Sequence, residues 1–172
     1  PARRVKIKRD ERPEKQIYTV REMENFFELM ESESLSFQCF CLLAIYGGFR
    51  REELLGFEWK DIDFQNYVVT VNRASLYTKE LGVFTDVPKT KNSHRSLKIP
   101  EFVFPALLRY REEQERRQSQ MGNKWHNADR LFTTWDGRPQ HPSSMPKTLK
   151  RFCDRNVLRY LGIHSFRHLF AS

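Results

Sequence analysis

The chain has 172 residues, and its 30 lysines and arginines exceed its 22 acidic residues to give a net charge of +8. With 39% hydrophobic residues, including 14 Phe, a chain of this length can bury a real core, which excludes disorder over most of it and favours one domain. The longest apolar run, near residues 37–46, is too short to span a bilayer, so no membrane partner is expected, whereas the basic excess fits a nucleic-acid binder.

A basic segment opens the chain. Residues 1–16 hold seven lysines and arginines together with two prolines and few large apolar side chains, so we expect a linker or arm there. The rest of the chain, 17–172, is expected to form the folded domain. A capping box predicts its first helix, because Thr19 is followed three residues later by Glu22 and then by apolar residues at helical spacing.

Two further helices are predicted before the pattern changes. The segment from about 35 to 46 is apolar on most faces, which indicates a buried, central helix, and two glycines then interrupt it. A short helix is predicted at 52–57, immediately after Arg50, and a turn at 60–63. These glycines and the arginine that follows them therefore lie at the junction of two helices.

A small sheet is predicted in the middle of the chain. Residues 67–73 are β-branched and alternate in polarity, as expected for a strand. Residues 83–87 and 96–99 can follow as two more strands, which would give a three-stranded antiparallel sheet with a basic loop between its last two strands. The sequence thus predicts an α+β fold that is mainly helical.

The C-terminal half returns to helical patterns. A long helix with a charged, solvated face is expected from 102 to about 121, and a short extended piece at 131–134. Ser143 or Ser144 is expected to cap the next helix, and His164 to open the last one. The three cysteines include no C-x-x-C pair, which disfavours a zinc site and favours reduced core thiols in a cytoplasmic protein.

Three separated stretches carry the residues that point to chemistry. Arg50 lies in Gly-Phe-Arg-Arg-Glu-Glu-Leu, Lys89 in the basic loop Pro-Lys-Thr-Lys-Asn-Ser-His-Arg, and His164 and Arg167 in His-Ser-Phe-Arg-His. Arginine presents a fixed fork of donors that matches phosphate oxygens, and lysine and histidine can move protons. No acidic metal cluster accompanies these stretches. They therefore predict a site that holds one phosphate of a phosphodiester without a metal or cofactor.

These three motifs, in this order, resemble those of the tyrosine recombinases of phages and conjugative transposons. The first is similar to the family's G-x-R-x-x-E-L box and continues into Trp-Lys-Asp-Ile-Asp at 59–63; the second is similar to its lysine hairpin, and the third to its H-x-x-R-H box. The resemblance covers about residues 17–172. It implies the catalytic domain of that family and site-specific recombination of double-stranded DNA through a 3′-phosphotyrosyl intermediate.

The resemblance also implies roles for individual residues. Arg50 and Arg167 would donate to the non-bridging oxygens of the pentacoordinate phosphate, and Lys89, preferred over Lys91, would protonate the departing 5′-oxygen. His164 would assist proton transfer at the tyrosine or hold a phosphate oxygen. Glu53 would orient neighbouring basic groups. Lys91, Arg95 and Lys98 are expected to contact the DNA backbone, the alternative being that they are merely solvated.

The sequence departs from the family pattern at its C-terminal end. The family's tyrosine nucleophile lies some tens of residues after the H-x-x-R box, and none of the six tyrosines here occupies that place. We also expect the family's N-terminal DNA-clamping domain to lie outside these residues. We therefore expect the 172 residues by themselves not to cleave DNA, and the full-length protein to act as a homotetramer on DNA.

Three other functions are compatible with parts of the pattern. A type IB topoisomerase-like enzyme uses similar residues, although the R-x-x-E box and the Trp-Lys-Asp-Ile-Asp ending fit recombinases better. A non-catalytic DNA-binding relative of the integrases would fit the missing tyrosine. A metal-dependent nuclease is disfavoured because Asp61 and Asp63 have no third ligand at a suitable spacing.

Overall fold

A computed structural model of the chain describes residues 17–87, 94–126 and 129–170, without the side chains of residues 168 and 170. Six helices are described in these ranges: α1 Val20–Met30, α2 Leu35–Gly47, α3 Arg51–Gly56, α4 Phe104–Met121, α5 Ser144–Arg155 and α6 Ile163–Phe170. Five strands accompany them: β1 Ile62–Asp63, β2 Val68–Val71, β3 Ala74–Thr78, β4 Gly82–Asp86 and β5 Arg95–Lys98. The predicted mainly helical α+β fold is confirmed.

Local sequence signals set the ends of the first two helices. The Thr19 hydroxyl accepts a hydrogen bond from the Glu22 amide at 3.2 Å, and the Glu22 carboxylate accepts one from the Thr19 amide at 2.7 Å, so the predicted capping box is confirmed. Helix α2 ends at Gly48, whose φ of 56° lies in the left-handed region that glycine tolerates best. This turn directs the next two residues away from α2 and into α3.

The sheet differs from the prediction in which strands pair. Strand β2 pairs antiparallel with β1 on one side and β5 on the other, whereas β3 and β4 form a separate hairpin. The expectation that 83–87 belongs to the three-stranded sheet was therefore wrong, and 74–78 is a strand that was not predicted. The loop 79–81 brings β3 and β4 together at little entropic cost, and β2 pairs instead with β1, the strand before it, and with the more distant β5. The predicted turn at 60–63 is a 3₁₀ turn, Trp59–Asp61, followed by β1.

Helix α2 forms the centre of the core. Its buried residues lie on all sides of the helix, and α3, α4, α5 and α6 each pack against it. Phe166 of α6 is fully buried, with its ring 5.4 Å from that of Phe26 and 5.6 Å from that of Tyr18. Edge and stacked aromatic contacts of this kind fix α6 at one position on the bundle. The three cysteines are buried, free thiols, as predicted. No helix among the described residues is long and apolar enough to cross a membrane.

Candidate active site

Arg50 occupies the residue immediately before α3. Phe49, buried beneath it, anchors the backbone after the turn at Gly48, and Arg50 itself has an extended backbone with φ −71° and ψ 153°. Its carbonyl accepts the first hydrogen bond of the helix, from the Leu54 amide at 2.9 Å. The Arg50 side chain remains 58% exposed, so its guanidinium faces solvent at the start of a helix.

Glu53 joins Arg50 to a second arginine. Its carboxylate accepts hydrogen bonds from the Arg50 amide at 2.8 Å and the Arg50 Nη1 at 3.1 Å. It also accepts a two-pronged pair from Arg95 at 2.9 and 2.7 Å. Burial raises the pKa of the Glu53 carboxyl, but the hydrogen bonds from Arg95 and Arg50 outweigh it and hold the pKa below its ordinary value. Glu53 is therefore an anion at neutral pH that neutralises and orients two cations.

Arg95 reaches this carboxylate from the sheet. It is the first residue of β5, where it lies opposite Val71 of β2, and its guanidinium carbon is 6.0 Å from the centre of the Phe49 ring. The structure thus brings together three residues selected from the sequence, Arg50, Glu53 and Arg95. The Arg95 side chain, predicted to contact the DNA backbone, is 31% exposed and directs both terminal nitrogens at Glu53.

His164 and Arg167 lie on α6, which packs against the same central helix as α3. His164 is exposed in the first turn, whereas Arg167 is half-buried. The Arg167 Nη1 atom is buried and has no hydrogen-bond acceptor among the residues that the structure describes. A buried guanidinium donor without an acceptor is costly, and an anionic oxygen would relieve that cost. Within the same residues, no hydrogen bond or ion pair links His164 or Arg167 to the Arg50–Glu53–Arg95 group.

Lys89 and Lys91 fall in 88–93, outside the described residues, so the preference for Lys89 over Lys91 stays a prediction. The described residues on either side of that segment are Val87, which follows β4, and His94, which precedes β5. The His94 Nδ1 lies 3.3 Å from the Asn72 side-chain oxygen. The segment therefore ends two positions before Arg95, with His94 between them.

Two arginines that the sequence did not single out fix the other end of α3. Arg130, only 5% exposed, donates to the Gly56 carbonyl at 2.5 Å, and Arg73 donates to the same oxygen at 3.4 Å. Arg130 also donates to Thr85 of the hairpin. No short-range sequence pattern predicts these contacts, because Arg73 and Arg130 lie 17 and 74 residues along the chain from Gly56. They fasten the C-terminal end of the helix whose first turn carries Glu53.

The aspartates considered as metal ligands have other partners. Asp61 is buried and accepts hydrogen bonds from Arg73 and from the Asn72 side chain. Asp63 caps a turn by accepting from the backbone amides of Gln65 and Asn66, each at 3.0 Å. Across 17–87, 94–126 and 129–170, no three His, Cys, Asp or Glu side chains are grouped so that they could hold a metal ion.

The fold of the chain is that of solved tyrosine-recombinase and integrase structures. The Tn1549 transposon integrase in complex with circular intermediate DNA superposes with a TM-score of 0.77 at 22% identity, over 94% of this chain and 54% of that one. The XerH site-specific recombinase bound to a palindromic difH substrate superposes with a TM-score of 0.64 at 20% identity, over 90% of this chain and 40% of that one. At these identities the likeness establishes a shared fold.

Sequence comparison then defines the family. The Phage integrase family matches residues 16–172, and the chain belongs to that family. A XerC-like tyrosine recombinase of Caldanaerobacter subterraneus subsp. tengcongensis is 32% identical over 76% of this chain and 36% of its own length. The ICEBs1 integrase of Bacillus subtilis is 30% identical over 86% of this chain and 39% of its own length. The chain therefore spans less than half the length of these relatives.

Proposed function

We propose that the protein containing this domain carries out site-specific recombination that integrates a mobile element. It would cut and rejoin DNA strands through a 3′-phosphotyrosyl intermediate, as the resemblance of its three motifs implies. The observation that carries this proposal is Arg50, held by the buried Glu53 carboxylate with its guanidinium open to solvent. Family membership and the integrases and transposases among its relatives support it.

The proposed chemistry needs charge placed around one phosphate. A tyrosine hydroxyl would attack the phosphorus, the bond to the 5′-oxygen would break, and Lys89 would give that oxygen its proton. Arg50 and Arg167 would donate to the non-bridging oxygens, whose charge is greatest in the pentacoordinate state, and so favour that state over the bound substrate. His164 would take the proton of the attacking tyrosine or hold a phosphate oxygen.

The local geometry supports the two arginine assignments in different ways. The ion pair with Glu53 fixes Arg50, and in the described residues its Nε and Nη2 atoms make no hydrogen bond, so these donors are available to an anion. The buried Nη1 of Arg167 has no described acceptor and would gain one from a phosphate oxygen. Preorganised donors of this kind need no rearrangement as the charge develops.

DNA is the proposed partner, and the full-length protein is proposed to work as a homotetramer on it in the cytoplasm. The net charge of +8 favours association with a polyanion. Several structural neighbours with this fold were solved in complex with DNA. The contact of Lys91 with the DNA backbone belongs to the same proposal, whereas the terminal nitrogens of Arg95, also predicted to contact the backbone, are directed at Glu53.

A covalent-adduct assay tests the proposal. The protein at its natural length, incubated with a nicked suicide DNA substrate, should yield a denaturation-resistant protein–DNA adduct. Arg50→Ala and Arg167→Ala should each slow its formation by roughly 10²- to 10³-fold, the cost of losing one preorganised donor at a developing oxyanion. Arg51→Ala is the matched control, because Arg51 pairs with Glu52 instead of Glu53 and should leave the rate nearly unchanged.

Each outcome of that assay decides between functions. A near-normal adduct rate in Arg50→Ala or Arg167→Ala would remove that arginine from the catalytic group. DNA binding without any adduct from the unaltered protein would instead favour a non-catalytic DNA-binding relative of the integrases. Relaxation of supercoiled DNA without strand exchange between two sites would favour the topoisomerase-like alternative.

A further inference from the structure

We propose that Arg95 is a positioning residue for the strand-cleavage reaction and acts through Glu53 to fix the orientation of the Arg50 guanidinium. This inference rests on the proposed function. It gives Arg95 a role other than the backbone phosphate contact expected from the sequence, because the contacts of its guanidinium are directed inward, at a carboxylate that also holds Arg50.

The hydrogen bonds at the Glu53 carboxylate are divided evenly between the two arginines. Oε1 accepts from the Arg95 Nη1 at 2.9 Å and from the Arg50 Nη1 at 3.1 Å. Oε2 accepts from the Arg95 Nη2 at 2.7 Å and from the Arg50 backbone amide at 2.8 Å. Each carboxylate oxygen therefore has one donor from each arginine.

The two arginines do not hold the carboxylate equally. Arg95 binds with both terminal nitrogens, and two parallel hydrogen bonds fix the plane of a carboxylate. The Arg50 guanidinium binds through one nitrogen, at the longest of the four distances, so its direction follows wherever the carboxylate plane lies. Without the two hydrogen bonds from Arg95, the carboxylate plane could rotate, and the Arg50 guanidinium would rotate with it.

The surroundings of Arg95 suit a side chain that keeps one orientation. Its guanidinium lies over the ring of Phe49, which is buried and packs edge-on against Phe57 with ring centres 4.9 Å apart, so it rests on part of the core. Its backbone is held in β5 opposite Val71. At 31% side-chain exposure against 58% for Arg50, Arg95 is the less accessible of the two to a phosphate arriving from solvent.

The test separates positioning from phosphate binding with conservative variants of the natural-length protein. Arg95→Lys keeps the charge but replaces the fork with a single ammonium group. We expect its single-turnover rate constant for adduct formation on saturating suicide substrate to fall roughly 10- to 100-fold, the scale of loss when a reacting group is misplaced by about an ångström. Its Kd for the uncleaved site should stay within about threefold, because the Arg95 guanidinium faces Glu53 instead of a phosphate and the substitution keeps the net charge.

Two further variants distinguish positioning from a loss of surface charge or of stability. Lys98→Ala removes a positive charge from an exposed position on the same strand and should leave the rate constant unchanged. Arg50→Lys keeps a cation but already lacks the guanidinium hydrogen bond to Glu53. In that background, adding Arg95→Lys should lower the rate constant for adduct formation only a little further. If Arg95→Lys instead damaged the structure independently, it would lower the rate constant by the same factor with Arg50 or Lys at position 50, with matching losses in melting temperature.

Three results would overturn the inference. A near-normal rate constant in Arg95→Lys, or a loss that appears in Kd alone, would make Arg95 a phosphate contact or a bystander. A loss equal in both Arg50 backgrounds would make it a general structural residue. Absence of any adduct from the unaltered protein would overturn the proposed function first, and this inference with it.

Discussion

Replacing Glu53 with glutamine is expected to destabilise the fold as well as the site. Glutamine keeps the shape of the side chain but removes the charge and turns one oxygen into a donor that faces the donors of Arg50 and Arg95. The Glu53 side chain is only 9% exposed, so water cannot readily replace the lost partners.

The size of the loss follows from the four hydrogen bonds. A hydrogen bond to a charged group contributes about 1.5–3 kcal/mol, and removing one member of a buried ion pair costs about 3–5 kcal/mol. Arg95 and Arg50 retain contact with solvent, at 31% and 58% side-chain exposure, which lowers the cost. We therefore expect Glu53→Gln to reduce the free energy of unfolding by about 2–4 kcal/mol, or roughly 4–16 °C in Tm for a domain of this size.

Urea unfolding of the 172-residue chain at several pH values measures this loss. The pKa of Glu53 is lower in the folded state than its ordinary value of 4.5, so the stability it contributes is fully present above about pH 4.5 and is lost as the pH falls through the folded pKa. The difference between the wild-type chain and Glu53→Gln should therefore be largest near pH 7 and shrink towards pH 3.

Glu52→Gln is the matched control, because Glu52 is the neighbouring residue and pairs with Arg51 at the surface with 28% exposure. Such a pair contributes about 0–1 kcal/mol, so the control should change little and show no comparable pH dependence. A loss below about 1 kcal/mol for Glu53→Gln, or a difference from wild type that does not shrink on acidification, would refute the assigned role of the buried carboxylate.

Three further outcomes are expected. Gly56→Ala places a Cβ 2.7 Å from the Arg73 carbonyl oxygen and should lower the unfolding free energy by roughly 1–3 kcal/mol in a urea titration, and an unchanged stability would argue against the steric reason. The three buried thiols should react with a disulfide reagent only after the chain unfolds. Burial raises the pKa of Cys153 to about 11, so little of the reactive thiolate is present at neutral pH. Fast reaction of the folded chain would contradict this. Binding of the 172-residue chain to duplex DNA should be weak and largely non-specific. In a fluorescence-anisotropy titration, its affinity should fall steeply between 50 and 200 mM salt, by about 10³-fold if six phosphates are contacted. An affinity that does not depend on salt would exclude phosphate contacts as its source.

The sequence by itself determined the features that depend on neighbouring residues. The capping box at Thr19 and Glu22, the glycine that ends α2 and the short helix after Arg50 are all interactions within a few residues, so spacing and residue type suffice to predict them. The motifs around Arg50, Lys89 and Arg167 likewise indicate the family through their resemblance to its motifs, and the match over residues 16–172 confirms it.

Only the tertiary structure decided which distant residues meet. The choice of β5 over β4 as the partner of β2, the approach of Arg95 to Glu53 across 42 positions and the approach of Arg130 to Gly56 across 74 all depend on how helices and strands pack. Hydrophobic patterning fixes which face of an element is buried but not which element covers it, because apolar contacts are non-directional. The partners of buried charges are therefore set only when the core has formed.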